Sequence, residues 1–143
     1  MRVFFDASVI IAALLSPTGG SSMLLQYVKA RVIIGITSQT VLEEILEEDK
    51  PKKLKRSREE IGEFIARSGL IVRESITTKE VALYKDDVDE EDAHLFAGAL
   101  LTKCSHLVSL DKKHVVRPDI QKKFLPLRIV TPKELLEEIS RSL

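Results

Sequence analysis

The chain has 143 residues, enough for one domain whose core needs no staple. It is 44% hydrophobic and 31% charged, with a formal net charge of +0, which excludes a disordered chain and any global field toward nucleic acid or membrane. Its one cysteine, Cys104, excludes an intrachain disulfide framework. No apolar run reaches membrane-spanning length. The start, MRVFFDASVIIAALL, is broken by Asp6 and has only Arg2 before its apolar stretch. It makes a poor secretory leader, so a cytoplasmic protein is expected.

In chain order, Arg2–Phe5 is a short run of buried-strand character that ends on Asp6. Ser8 is a candidate N-cap for the helical run to Leu15, and Ser22 for the helix MLLQYVKA. Val32–Thr37 is a second strand. Thr37 or Ser38 then caps a helix through TVLEEILEE, in which Glu47 and Glu48 are expected to be solvated. The basic run KPKKLKRS is expected to be a connection. Ser57 and Glu60 have capping-box spacing, and Gly69 closes the helix between them. Leu70–Val72 is a short strand and TTKEVALYK a short helix. An acidic run, DDVDEED, opens the helix AHLFAGALLTKC. His106–Leu110 is a strand ending on Asp111, and Leu127–Val130 is the last strand. Thr131, Pro132 and Glu134 open a C-terminal helix.

Strands alternate with helices, and several strands are unbroken apolar runs without a period of two. That pattern predicts an α/β domain, a parallel sheet with helices on both faces. Such sheets place ligands beyond the carboxyl ends of their strands. Asp6 and Asp111 both end strands, Glu44 lies early in a helix that follows a strand, and Asp92 lies in the first turn of another. The four acids are expected to converge. Two carboxylates about 5 Å apart repel by roughly 3 kcal/mol at an effective dielectric near 20. A hard cation such as Mg²⁺ or Mn²⁺, which prefers oxygen ligands, relieves that repulsion and supports phosphodiester hydrolysis. Ser8 and Ser109 lie two residues from Asp6 and Asp111, where their hydroxyls can bond carboxylates or metal-held waters.

Each acid also has a plainer reading. Asp6 and Asp92 can serve their helices, Glu44 can be a solvated glutamate, and Asp111 can start the turn DKKH. His94, His106 and His114 share no metal-ligand spacing, and His94 is expected at the surface or its boundary. Cys104 is expected to be a small core residue. The basic run offers Lys52, Lys53, Lys55 and Arg56 to RNA phosphates, or is simply solvated.

The stretches VFFDASVIIAAL, SQTVLEEIL, DEEDAHLFAGAL and HLVSLDKKH, in this order, resemble the PIN-domain family of metal-dependent ribonucleases, including the VapC-like toxins. The resemblance covers nearly the whole chain as one domain, 1–143. It implies an endoribonuclease using Mg²⁺ or Mn²⁺, with Asp6, Glu44, Asp92 and Asp111 as the catalytic and metal-binding set. Asp6 and Asp111 would hold the principal ion. Glu44 and Asp92 would complete its surroundings, hold a second ion or orient the attacking water. Glu43 is the alternative to Glu44, and Asp89 the alternative or aid to Asp92. The implied partners are RNA, an antitoxin protein and a second copy of the chain. A non-catalytic PIN-like module that binds RNA or protein is the rival reading. A haloacid-dehalogenase-type phosphatase also opens on a strand-end aspartate, but its DxD is absent because Ser8 holds the third position.

Overall fold

The computed structural model describes residues 1–47 and 49–143, so the expectation for Glu48 lies outside the described residues. Five parallel strands form one sheet: β1 (Arg2–Phe5), β2 (Ile34–Ser38), β3 (Ile71–Arg73), β4 (His106–Val108) and β5 (Arg128–Val130). Their spatial order is β3-β2-β1-β4-β5. The chain winds outward from β1 to β3, then returns to the other side of β1 as β4. A crevice therefore opens between β1 and β4 at their carboxyl ends, the switch point where open α/β sheets bind ligands.

Side chains of successive strand residues point to opposite faces. Val3, Phe4 and Phe5 are all 0% exposed, so both faces of β1 are covered. Phe4 packs toward α7 (Ala93–Leu101), where a Cβ on Gly98 would lie 2.6 Å from the Phe4 ring. Glycine is needed there because the helix approaches the sheet so closely. Phe96 of α7 stacks on Phe124 of α8 (Pro118–Phe124), with ring centroids 4.5 Å apart. Elsewhere α1 (Ala7–Leu15) packs on α2 (Gly20–Lys29), and α2 packs on β2 and on α9 (Pro132–Ser142).

Local signals set most helix ends. Ser38 caps α3 (Gln39–Ile45) by accepting from Val41 N, which decides between the two candidate caps. The capping boxes at Ser57/Glu60, for α5 (Arg58–Arg67), and at Thr131/Glu134, for α9, both form. Gly69 follows α5 at φ +82°, a left-handed conformation that suits glycine. The basic run differs from expectation. It contains a short helix, α4 (Lys50–Leu54), stopped by Lys55 in the left-handed region, and Leu54 is buried. Buried Leu54 and a proline in the first turn supply what an exposed connection lacks. The other helix of this middle region, α6 (Thr78–Ala82), carries its own capping box from Thr77 and Glu80.

Three further local expectations change. Ser8 lies inside α1 and does not cap it, because the helix starts at Ala7. Ser22 lies inside α2, where its hydroxyl donates to Ala13 O and Ser16 O, joining α1 to α2. Helix α8 has no counterpart in the sequence reading. Pro118 opens it, and its buried Ile120 and Phe124 show the helical spacing. Among the described residues no single helix is long and apolar enough to cross a membrane.

Candidate active site

Asp6 follows β1, and its backbone N–H donates to Val108 O of β4 at 3.1 Å. That bond sets Asp6 beside Ser109. The Asp6 carboxylate is 7% exposed and makes no capping bond to α1. Its Oδ2 instead accepts from Ser109 Oγ at 2.6 Å and from Ser8 Oγ at 3.0 Å. Each serine is itself fixed by a backbone donor. Asp111 N donates to Ser109 Oγ at 3.0 Å, and Leu110 N donates to Ser8 Oγ at 3.1 Å. Two hydroxyl relays thus converge on one carboxylate oxygen. Burial pushes the Asp6 carboxyl above its ordinary value, the two serines pull it down, and nearby Glu44 pushes it up again.

Asp92 ends a short 3-10 turn, Glu90–Asp92, just before α7, and it makes no side-chain cap bond. Desolvation raises its carboxyl to about 6, with added repulsion from Asp111 and Asp6. Glu44, from α3, and Asp92 line a polar groove of about 500 Å³ together with Glu47, Lys50 and Glu91. Asp89 and Glu43, the alternative acids, are exposed.

Asp111 does not end its strand directly, since β4 stops at Val108. It sits in the following turn, where Oδ1 accepts from Lys113 N and His114 N and Oδ2 meets His114 Nδ1 at 3.2 Å. The turn reading of Asp111 is thus correct, and it coexists with the approach of Asp111 to Asp92.

His94 corrects the surface expectation. It is 7% exposed, and its Nε2 is paired with Glu44 Oε1. Its Nδ1 is buried without a partner among the described residues. The sequence signal was its place two residues after Asp92 on α7, which the lack of metal-ligand spacing obscured. His106 is likewise buried, held between Ser105 Oγ and Glu138 of α9 at the start of β4, the end opposite to Ser109. Cys104 is buried as expected. Lys52, Lys53 and Lys55 are exposed and Arg56 is half-buried, and none of these four lines the acid groove. Lys50, at the start of the same helix, does reach the acid groove.

The donor set is all oxygen, which suits a hard divalent cation. Two of its carboxylates are raised by burial and mutual repulsion and are used by no helix cap, which also fits. Among the described residues, no three His, Cys, Asp or Glu side chains already stand together as a metal-ligand group.

A family model described as PIN domain matches residues 2–113. The chain belongs to the PIN-domain family. PIN domains are generally nucleases that use divalent metals. The fold of this PIN domain is also that of solved structures. It resembles VapBC2 from Rickettsia felis, bound to a DNA fragment from its promoter, at 14% identity and a TM-score of 0.63, over 92% of this chain and 98% of that one. It resembles PAE2754 from Pyrobaculum aerophilum at 13% identity and a TM-score of 0.63, over 99% of this chain and 96% of that one. No curated protein matches the chain in sequence.

Proposed function

We propose that this PIN domain is a Mg²⁺- or Mn²⁺-dependent endoribonuclease that hydrolyses RNA phosphodiester bonds. The observation that carries the reading is the buried Asp6 carboxylate at the β1/β4 crevice, held by Ser8 and Ser109 and flanked by Glu44 and Asp92. Asp6, Asp92, Glu44 and Asp111 would hold the ion. Bound there, it would polarise the scissile phosphate and lower the pKa of a water. Ser8 and Ser109 favour the ionised form of the Asp6 carboxylate and aim it. Asp92 would complete the surroundings of the ion or orient the attacking water.

The likeness in fold to a toxin–antitoxin complex supports an antitoxin protein as partner, and so the toxin role. A homodimer and a cytoplasmic location belong to the same reading. Single-turnover cleavage of RNA, with and without Mn²⁺, tests it. Cleavage that needs Mn²⁺ and disappears in Asp6→Asn is the expected result. Binding of RNA without cleavage under any divalent ion would establish the non-catalytic module instead.

A further inference from the structure

His94 and His106 are both buried histidines that face a glutamate, yet their rings are satisfied differently. Both nitrogens of His106 have partners, Ser105 Oγ at Nδ1 and Glu138 Oε1 at Nε2. A histidine kept for the packing is expected to be matched in this way. His94 has Glu44 Oε1 at Nε2, and its Nδ1 is buried with no partner among the described residues. A buried polar atom left unpaired lowers stability. The nitrogen that is matched is the one facing an acid of the candidate site.

The two side chains are held to different degrees. Every residue of α7 from Ala93 to Ala99 is buried, so the His94 ring is enclosed where it stands. Glu44 lies at the border of α3. Val41, Leu42 and Ile45 are buried there, while the Glu44 side chain is 31% exposed. Long side chains such as glutamate lose much rotamer freedom when they are ordered. A fixed partner that orders this one beforehand removes that loss from the binding of an ion. Glu44 also stands near enough to Asp6 to push its carboxyl upward, and it shares the acid groove with Asp92.

We propose that His94 is a positioning residue for Glu44: from the buried start of α7 it holds the carboxylate carried by α3 beside Asp6 and Asp92, preset for a divalent cation. The proposal rests on the metal-dependent reading above and says how one of its acids is held. A bare ring nitrogen against a carboxylate oxygen would set lone pair against lone pair, so the ring carries a proton on Nε2. Groups that hold a metal-binding side chain from behind tune its affinity for the ion without touching the ion.

The test compares the Mn²⁺ affinity of the full chain, by titration calorimetry, in the wild type, His94→Leu, Glu44→Gln and the double variant. His94→Leu should weaken Mn²⁺ binding about ten-fold or more. In EDTA it should melt no lower than the wild type, since leucine has a similar size and removes the unpaired nitrogen. In the Glu44→Gln background the same change should add little, because His94 acts through Glu44. A His94→Leu protein that binds Mn²⁺ like the wild type overturns the proposal and leaves the metal reading standing. An undiminished further loss in the Glu44→Gln background also overturns it, since His94 would then act by another route. A wild type that binds no Mn²⁺ sinks the metal reading and the proposal with it. Ring ¹⁵N–¹H spectra of the wild type in EDTA need no variant. A His94 proton on Nε2 supports the proposal, and a proton on Nδ1 alone overturns it.

Discussion

Ser109 Oγ donates to Asp6 Oδ2 at 2.6 Å, across 103 positions of chain. The bond exists because Asp6 and Ser109 directly follow adjacent parallel strands whose last pair is Phe5 and Val108. Ser109 is 0% exposed and also accepts from Asp111 N. Ser109→Ala should therefore leave a buried carboxylate short of a donor and an N–H short of an acceptor, costing about 1–3 kcal/mol. The same change removes the strongest influence lowering the Asp6 carboxyl, which then rises further. If ionised Asp6 supports cleavage, the rise of activity with pH should move to higher pH. Denaturant melts and a pH profile of cleavage check the two halves separately.

Asp92 gives a test that needs no substrate. Its carboxyl is raised from 3.8 to about 6 in the folded state. A group raised on folding contributes most below its unfolded value and loses that contribution as pH rises through the folded one. Without metal, the protein should therefore lose stability between about pH 4 and 6. Asp92→Asn should remove the share of this slope that Asp92 carries and leave that of Asp6. In EDTA near neutral pH it should stabilise by about 1–2 kcal/mol, allowing for solvent screening of a half-exposed carboxylate. With Mn²⁺ the sign should reverse, since the variant loses a ligand and the stabilisation that binding gives. A modest loss that ignores the metal would remove Asp92 from the proposed site.

Crystals grown with Mn²⁺ should show an anomalous peak bounded by Asp6, Asp92 and Asp111, with ligand oxygens at about 2.0–2.2 Å. The carboxylates must draw together for this, since no ready-made ligand group exists among the described residues. Density elsewhere, or none at millimolar Mn²⁺, would reject the assignment.

The cations of α4 and its flank should act in binding. Replacing Lys52, Lys53, Lys55 and Arg56 with glutamine should lower RNA affinity and flatten its dependence on salt, because fewer counterions are released. Filter binding at several salt concentrations measures this. An unchanged slope would show that the strand does not reach α4.

What was legible in the sequence is what short stretches encode by themselves. Val3–Phe5 as a fully buried strand, the Ser57/Glu60 and Thr131/Glu134 capping boxes and the stop at Gly69 depend on neighbours a few residues away. The parallel α/β class followed from the same local patterns, and the four acids were named from apparent strand ends, for Asp6 and Asp111, and from the starts of helices after strands, for Glu44 and Asp92. Tertiary structure alone decided the strand order β3-β2-β1-β4-β5, which makes β1 and β4 neighbours and so brings Ser109 to Asp6. It also chose the bond to Asp6 over the helix cap for Ser8 and the turn over the strand end for Asp111, and it buried His94 against Glu44. Hydroxyls, carboxylates and imidazoles each have several acceptable partners of similar strength. Local sequence therefore cannot choose among them, and the choice falls to whichever partner the packed strands and helices bring within about 3 Å.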